Sequence, residues 1–177
     1  MQLMQQMLAR RSVRDYTGEA VTEEQLRLIL QAGLCAPSSK NRRPWQMIVV
    51  RDKEMLCKMA DYRASGAQML RGADCAIVVL GDESLTDVWT EDCSIVMTQM
   101  HLMADALGLG SCWIQGRLRQ AADGSTGEEY LRRLLSFPAE LRLAAVLSVG
   151  VPAEHRPPYT AEDLLWDKVH YGSWGGQ

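Results

Sequence analysis

Between Thr90 and Leu107 the apolar residues Cys93, Val96, Met97, Met100, Met103, Ala104 and Leu107 recur every three or four positions, the spacing of one broad helical face. A stripe that wide predicts a long helix buried at the centre of the fold. The run Cys75 to Leu80 is almost continuously apolar, as expected of a strand covered on both faces, and Gly81 and Asp82 are expected to end it. A chain holding both elements needs helices and sheet packed around a shared core.

The remaining elements follow from local signals. Leu3, Met4, Met7 and Leu8 have helical spacing, and that run ends in Arg10 and Arg11, so a short helix feeds a basic loop. Thr22 with Gln25, and Thr126 with Glu129, make capping-box patterns that open helices, the first running to about Gly33. Trp45 to Val50, Ser111 to Gln115 and Leu143 to Val149 are strand candidates. The order helix, helix, strand, helix, strand, helix, strand, helix, strand predicts an α+β or mixed α/β domain, and 177 residues call for one domain over 1–177. After Pro152 the chain turns proline-rich and then amphipathic; Trp166, Tyr171 and Trp174 give this tail enough apolar mass to pack on something.

Composition excludes several functions. The formal charge of −3 comes from interspersed acids and bases, without the basic tract that nucleic acid would require. Glutamine pairs interrupt the apolar residues of the N-terminus, which therefore lacks a signal-peptide core, and no apolar segment is long enough to span a bilayer. A cytoplasmic protein is expected. The five cysteines stand singly, without a CxxC pair, so neither a disulfide framework nor a structural zinc is expected.

Three segments collect groups suited to a ligand. Arg10, Arg11, Ser12 and Arg14 place rigid guanidinium donors and a hydroxyl at a helix-to-loop junction, an arrangement that suits phosphate oxygens but equally suits solvated charges after a helix C-terminus. The loop Pro37 to Trp45 gathers Ser38, Ser39, Lys40, Asn41, Arg42 and Arg43, able to hydrogen-bond the polar edge of a heterocycle or merely to connect a helix to a strand. Gly108 and Gly110, before Trp113, Ile114, Gln115 and Gly116, let backbone approach a flat ligand, or cap a helix. The chain has no GxGxxG after a strand, no GxxxxGK[ST], no HExxH and no GxSxG. His101, His155 and His170 are too scattered to suggest a metal site, His101 lies off the main stripe of its helix, and Glu91 and Asp92 are read as favouring the helix N-terminus.

Taken in order, RRSVRDY, APSSKNRRPW and GLGSCWIQG, followed by GVPAEHRPPY and DKVHYGSW, resemble the nitroreductase family in its short members, from about residue 7 to the C-terminus. The resemblance implies an α+β fold with a mixed, mainly antiparallel sheet flanked by helices. It implies a homodimer with FMN at the interface. By that likeness Arg10, Ser12 and Arg14 would meet the phosphate, ribityl chain and pyrimidine edge, and Pro37, Ser38, Ser39 and Asn41 would line the ring from the other subunit. Gln68 would offer a polar side chain to the pyrimidine, and Gln115 and Gly116 would approach N5 through their backbone.

Two departures stand out. Arg43 replaces the glutamine that usually precedes ProTrp, and Tyr159, Thr160 and Ala161 stand where many members carry a basic pair for the phosphate. Arg117 is the first candidate for the missing cation and Arg156 the second. The implied activity is ping-pong electron transfer from NADH or NADPH through FMN to a small electron-poor acceptor, such as a nitroaromatic or quinone, with no side-chain acid or base required. The alternatives are a flavin-binding redox sensor or storage module, and a specialised flavin reaction such as reductive dehalogenation or flavin fragmentation.

Overall fold

A computed structural model describes residues 2–176. Its sheet has strands β1 (Trp45–Val50), β2 (Cys75–Asp82), β3 (Gly110–Gln115) and β4 (Leu141–Gly150), in the order β1-β2-β4-β3. All three pairings are antiparallel. Among the described residues an isolated parallel bridge between Ser12 and Ser111 joins this antiparallel sheet, in line with the mainly antiparallel sheet expected. β2 runs two residues past the expected stop, because Gly81 and Asp82 still pair with Arg142 and Leu141 of β4.

Among the described residues the α-helices are α1 (Gln2–Ala9), α2 (Glu23–Leu34), α3 (Lys53–Met59), α4 (Trp89–Ala106) and α5 (Gly127–Leu135); α1 packs against α4, and the others contribute to the cores on either side of the sheet. Both expected capping boxes are present, with the Thr22 and Thr126 hydroxyls accepting from the Gln25 and Glu129 N–H groups. Alternation along β2 sends Cys75, Ile77 and Val79 to the face that packs on α2 and α4. Ala76, Val78 and Leu80 go to the other face, into a second core with Leu56, Met59 and Leu131 from α3 and α5. That two-sided burial explains the unbroken apolar run in sequence.

The segment following α1 is seated by two glycines. Gly110 and Gly150 lie opposite each other on β3 and β4. A Cβ on Gly110 would stand 2.7 Å from a Val13 methyl, and one on Gly150 would stand 2.8 Å from the Tyr16 ring. Their hydrogens leave the hollow in which Val13 and Tyr16 are buried, and the Tyr16 hydroxyl then donates to the Val13 carbonyl at 2.9 Å. Gly110 therefore makes room for the chain's own loop, whereas sequence left it as a point of ligand approach or a cap. Gly108, at φ +74, ends α4 with paired bonds from Gly108 N–H to Asp105 O and Leu109 N–H to Ala104 O.

At the chain ends, α1 leaves Leu3, Met4 and Met7 exposed, and the tail leaves Leu165, Trp166, Tyr171 and Trp174 exposed. Within the protomer the tail touches α1 through the Tyr159 N–H to Leu8 O bond of 2.9 Å. No described helix is long and apolar enough to cross a membrane.

Gly150→Ala is expected to destabilise the protein by about 1–3 kcal/mol, since the added methyl overpacks the Tyr16 ring. Urea unfolding monitored by circular dichroism measures this, and an unchanged midpoint would contradict the seating described.

Candidate functional site

The bridge from Ser12 to Ser111 lays the RRSVRDY segment along the open edge of β3, where the Val13 N–H donates to the Ser111 carbonyl at 3.0 Å. Arg10 enters this junction half-buried, while Arg14 projects outward with its N–H donating to Glu154 at 2.9 Å. Burial raises the Cys112 thiol against the opposing effects of Arg14, Ser12, Arg10 and Arg156, and Glu154, which accepts the Arg14 N–H, also pairs with Arg156 at 3.6 Å. Arg14 and Gln68 line a cleft of about 590 Å3 together with Tyr16, Arg63, Met69 and Trp113. The Gln68 side-chain oxygen accepts the Gly66 N–H at 2.9 Å, which leaves its NH2 group as the one offered to a ligand.

Beneath this cluster is His101, buried on α4. Its Nε2 lies 2.8 Å from the Arg10 guanidinium, and its Nδ1 meets the Ser111 hydroxyl. A guanidinium only donates, so Nε2 accepts and Nδ1 carries the proton. Burial first, and then the Arg10 charge, lower the pKa of His101 to about 4. Although it lies off the main stripe, His101 is a core residue; sequence gave no sign of it, because its partners come from the α1 exit and from β3.

The loop after α2 is held at the other end of α4. Asp92, buried on the first turns of that helix, accepts the Ser39 N–H at 2.9 Å, so it fastens the loop rather than capping the helix. The Ser38 hydroxyl accepts the Arg43 N–H at 2.9 Å, and Arg43 Nε donates to the Asn41 side-chain oxygen at 2.8 Å. Lys40, Asn41 and Arg43 have φ of 50°, 55° and 48°, an unusual density of left-handed non-glycine residues, of the kind found in ligand-binding loops. Pro37 and Asn41 are exposed, and Ser39 lines a small cleft with Lys40, Arg42 and Ser84. Nine helical residues separate Asp92 from His101, a rise of roughly 13 Å. The two halves of the expected site thus lie apart within one protomer.

Gln115 and Gly116 occupy the far end of β3. Because Ser111 turns its carbonyl to Val13, alternation turns Ser111, Trp113 and Gln115 toward the open edge. Gly116, by contrast, uses its N–H on Ala144 O at 3.2 Å. Gln115 supplies the outward backbone donor of the pair. Arg117 stands 5.9 Å over the Trp89 ring and acts on Glu91, lining a separate cleft of about 490 Å3 with Gly116 and Arg142. It is therefore distant from the Arg10 region, whereas Arg156 belongs to it. Arg63 is a further cation facing the larger cleft, and nothing in its sequence context singled it out.

Burial pushes Cys75 and Cys93 up to about 12, and all five cysteines are free. Among the described residues, no group of three or more His, Cys, Asp or Glu is placed to hold a metal ion.

The chain matches the model of the nitroreductase family over residues 7–67 and 58–151. It is similar to the structure of an FMN-dependent nitroreductase from Clostridium difficile R20291, with 40% identity and a TM-score of 0.94 over 96% of this chain and 99% of that one. A protein of Archaeoglobus fulgidus, provisionally named an NADH dehydrogenase/NAD(P)H nitroreductase, is 36% identical over 97% of this chain and 98% of its own length. The FMN reductase [NAD(P)H] of Bacillus subtilis is 31% identical over 81% of this chain and 63% of its own length.

His101 makes stability depend on pH. Its native pKa is lowered to about 4 from 6.5, so below pH 6.5 the unfolded chain binds a proton that the native ring refuses. This contribution is complete above pH 6.5 and falls by roughly 3 kcal/mol on acidification to pH 4. Unfolding curves across that window should show a flatter profile for His101→Gln, and parallel profiles would contradict the neutral ring. Asp92→Ala should speed amide exchange at Ser39 and its neighbours, as read by hydrogen–deuterium exchange, with little change in the β2 and β4 cores.

Proposed function

The chain belongs to the nitroreductase family, and from that premise we propose that it is an FMN-dependent oxidoreductase passing electrons from NADH or NADPH to a small electron-poor acceptor, such as a nitroaromatic or quinone, in a ping-pong sequence. The observation that carries this reading is the docking of the Ser12–Val13 segment on the β3 edge, which sets Arg14 in the wall of a cleft of about 590 Å3 with Gln68, Met69 and Trp113. That volume is typical of small-molecule sites. The groups present fit the cofactor: cations for a phosphate, the Gln68 amide for a polar ring edge, and Met69 and Trp113 for a flat apolar surface.

When bound, FMN would accept hydride at N5 and return the electrons to the second substrate. The chain's own groups hold and polarise it. Arg10 and Arg156 supply positive charge for the phosphate, which the tail residues Tyr159 and Thr160 do not provide. Arg14 faces the cleft and opposes negative charge at the N1 and O2 edge, where a fixed cation assists most. Gln115 offers its outward N–H toward N5. No side chain need move a proton, in keeping with a neutral His101 engaged on both sides.

The same reading makes the protein a homodimer with FMN at the interface. Pro37, Ser38, Ser39 and Asn41 of one protomer would line the site of the other, which accounts for a loop fastened about 13 Å along α4 from the arginines. The exposed apolar residues of α1 and the tail are a surface that a second copy would bury.

Purified protein is expected to be yellow and to release FMN on denaturation. Under anaerobic conditions, NADH or NADPH should bleach it, and a quinone or nitroaromatic should restore the colour. A colourless protein that takes up no FMN would refute the proposal, and an unreactive flavin would favour a sensor or storage role. Arg14→Ala and Arg156→Ala should each weaken FMN binding about tenfold to a hundredfold, the loss of one charge-assisted contact. Arg117→Ala should leave it within about threefold, and an equal loss in Arg117→Ala would restore that residue as the phosphate cation.

A further inference from the structure

Arg10 is distinguished by the kind of acceptor it has, a buried imidazole nitrogen. Among the described residues, Arg51, Arg71, Arg132, Arg133, Arg142 and Arg156 pair with carboxylates. Arg10 instead donates to the neutral His101 ring. An ion pair offsets part of a guanidinium's charge, whereas a neutral acceptor fixes its direction without that offset.

We propose that His101 is a positioning residue for the cofactor phosphate: its Nε2 holds one Arg10 donor, its Nδ1–H is anchored on the Ser111 hydroxyl, and the remaining Arg10 donors are thereby aimed at the phosphate with no carboxylate hydrogen-bonded to the guanidinium. This rests on the reading of Arg10 as a phosphate ligand. The anchor is rigid because Ser111 is buried and accepts the Val13 N–H through its carbonyl, so ring, strand and loop share one frame. The groups facing His101 are few. α1 carries no charged residue, the segment after it contributes Arg10, β3 contributes Ser111, and α4 itself contributes Asp105 one turn on. Asp105 is held above the usual carboxylate range by its own burial, against the opposing pull of Arg10. A ring kept neutral below physiological pH is what this geometry needs, since a protonated Nε2 would face the guanidinium as a second cation.

The test uses two substitutions that each keep one half of the imidazole. His101→Gln reaches as far as Nε2 and retains an acceptor for Arg10, whereas His101→Asn reaches only as far as Nδ1 and retains the Ser111 contact. Affinities for FMN and for riboflavin, which lacks the phosphate, are measured by flavin fluorescence on apoprotein at neutral pH. We expect the preference for FMN over riboflavin to fall about tenfold or more in His101→Asn and Arg10→Ala, and to stay within about threefold of the parent in His101→Gln. Riboflavin affinity should change little in all three, an outcome that a merely structural role would not produce. Equal losses in the Gln and Asn variants, with Arg10→Ala behaving as expected, would overturn the positioning role alone. An unchanged preference in Arg10→Ala would overturn both that role and the phosphate reading. Independently of any variant, nitrogen NMR of the parent should find His101 neutral and protonated at Nδ1 at about pH 5.5; a charged ring or an Nε2–H tautomer there would also overturn the proposal.

Discussion

The burial of α4 against the sheet is the constraint on which everything else depends. Cys93, Val96, Met97, Met100 and Ala104 are fully buried, packed in one cluster with the sheet face carrying Ile77, Val79, Ala145 and Leu147 and with Leu26 and Ile29 of α2. Packing at that density leaves the helix no freedom to rotate. Its orientation in turn settles where two buried polar residues point. Asp92 meets the loop after α2, and His101 meets the loop after α1. The helix thus acts as a spacer holding the two loops of the candidate site at a set separation.

The arginine side of the site depends on a second contact, the seating of Val13 and Tyr16 over Gly110 and Gly150. Only paired glycines on adjacent strands let a loop pack this close to the sheet. Once seated, the loop places Arg10 against a neutral ring, while Arg14 is tied by its backbone and free at its head. Among the described residues Arg10 is thus held by a neutral ring and by no hydrogen-bonded carboxylate. Several other cations of the chain are spent on local ion pairs, which at exposed positions contribute little stability.

Much of the architecture was legible in the sequence because it depends on local physics. Helical periodicity located α4 to within one residue at each end, and the two Thr-x-x-Gln/Glu boxes marked the starts of α2 and α5. Strand β1 begins and ends where its apolar run does, and the order of the elements is the order expected. The residues of the candidate site were legible as a set of types and as an ordered likeness to one family. Their grouping was less so. Arg117 and Arg156 look alike as cations near conserved-looking motifs, yet one sits over Trp89 and the other beside Arg10 and Arg14. Arg63 and His101 carried no local signal, since their neighbours are brought to them by distant segments.

The sequence by itself determined which segments are helix and strand, which faces are apolar, and that the chain carries the ordered loops of a flavin-type oxidoreductase. The elements and their faces follow from spacing and composition within a few residues, and the loops from an ordered likeness to one family. The tertiary structure alone decided that Gly110 serves a loop rather than a ligand, that Asp92 fastens Ser39 rather than capping its helix, and that His101 is a neutral partner to Arg10. Each of those roles joins residues from different elements, and the free energy of a buried hydrogen bond or a steric contact exists only once packing has brought both partners into the same low-dielectric space.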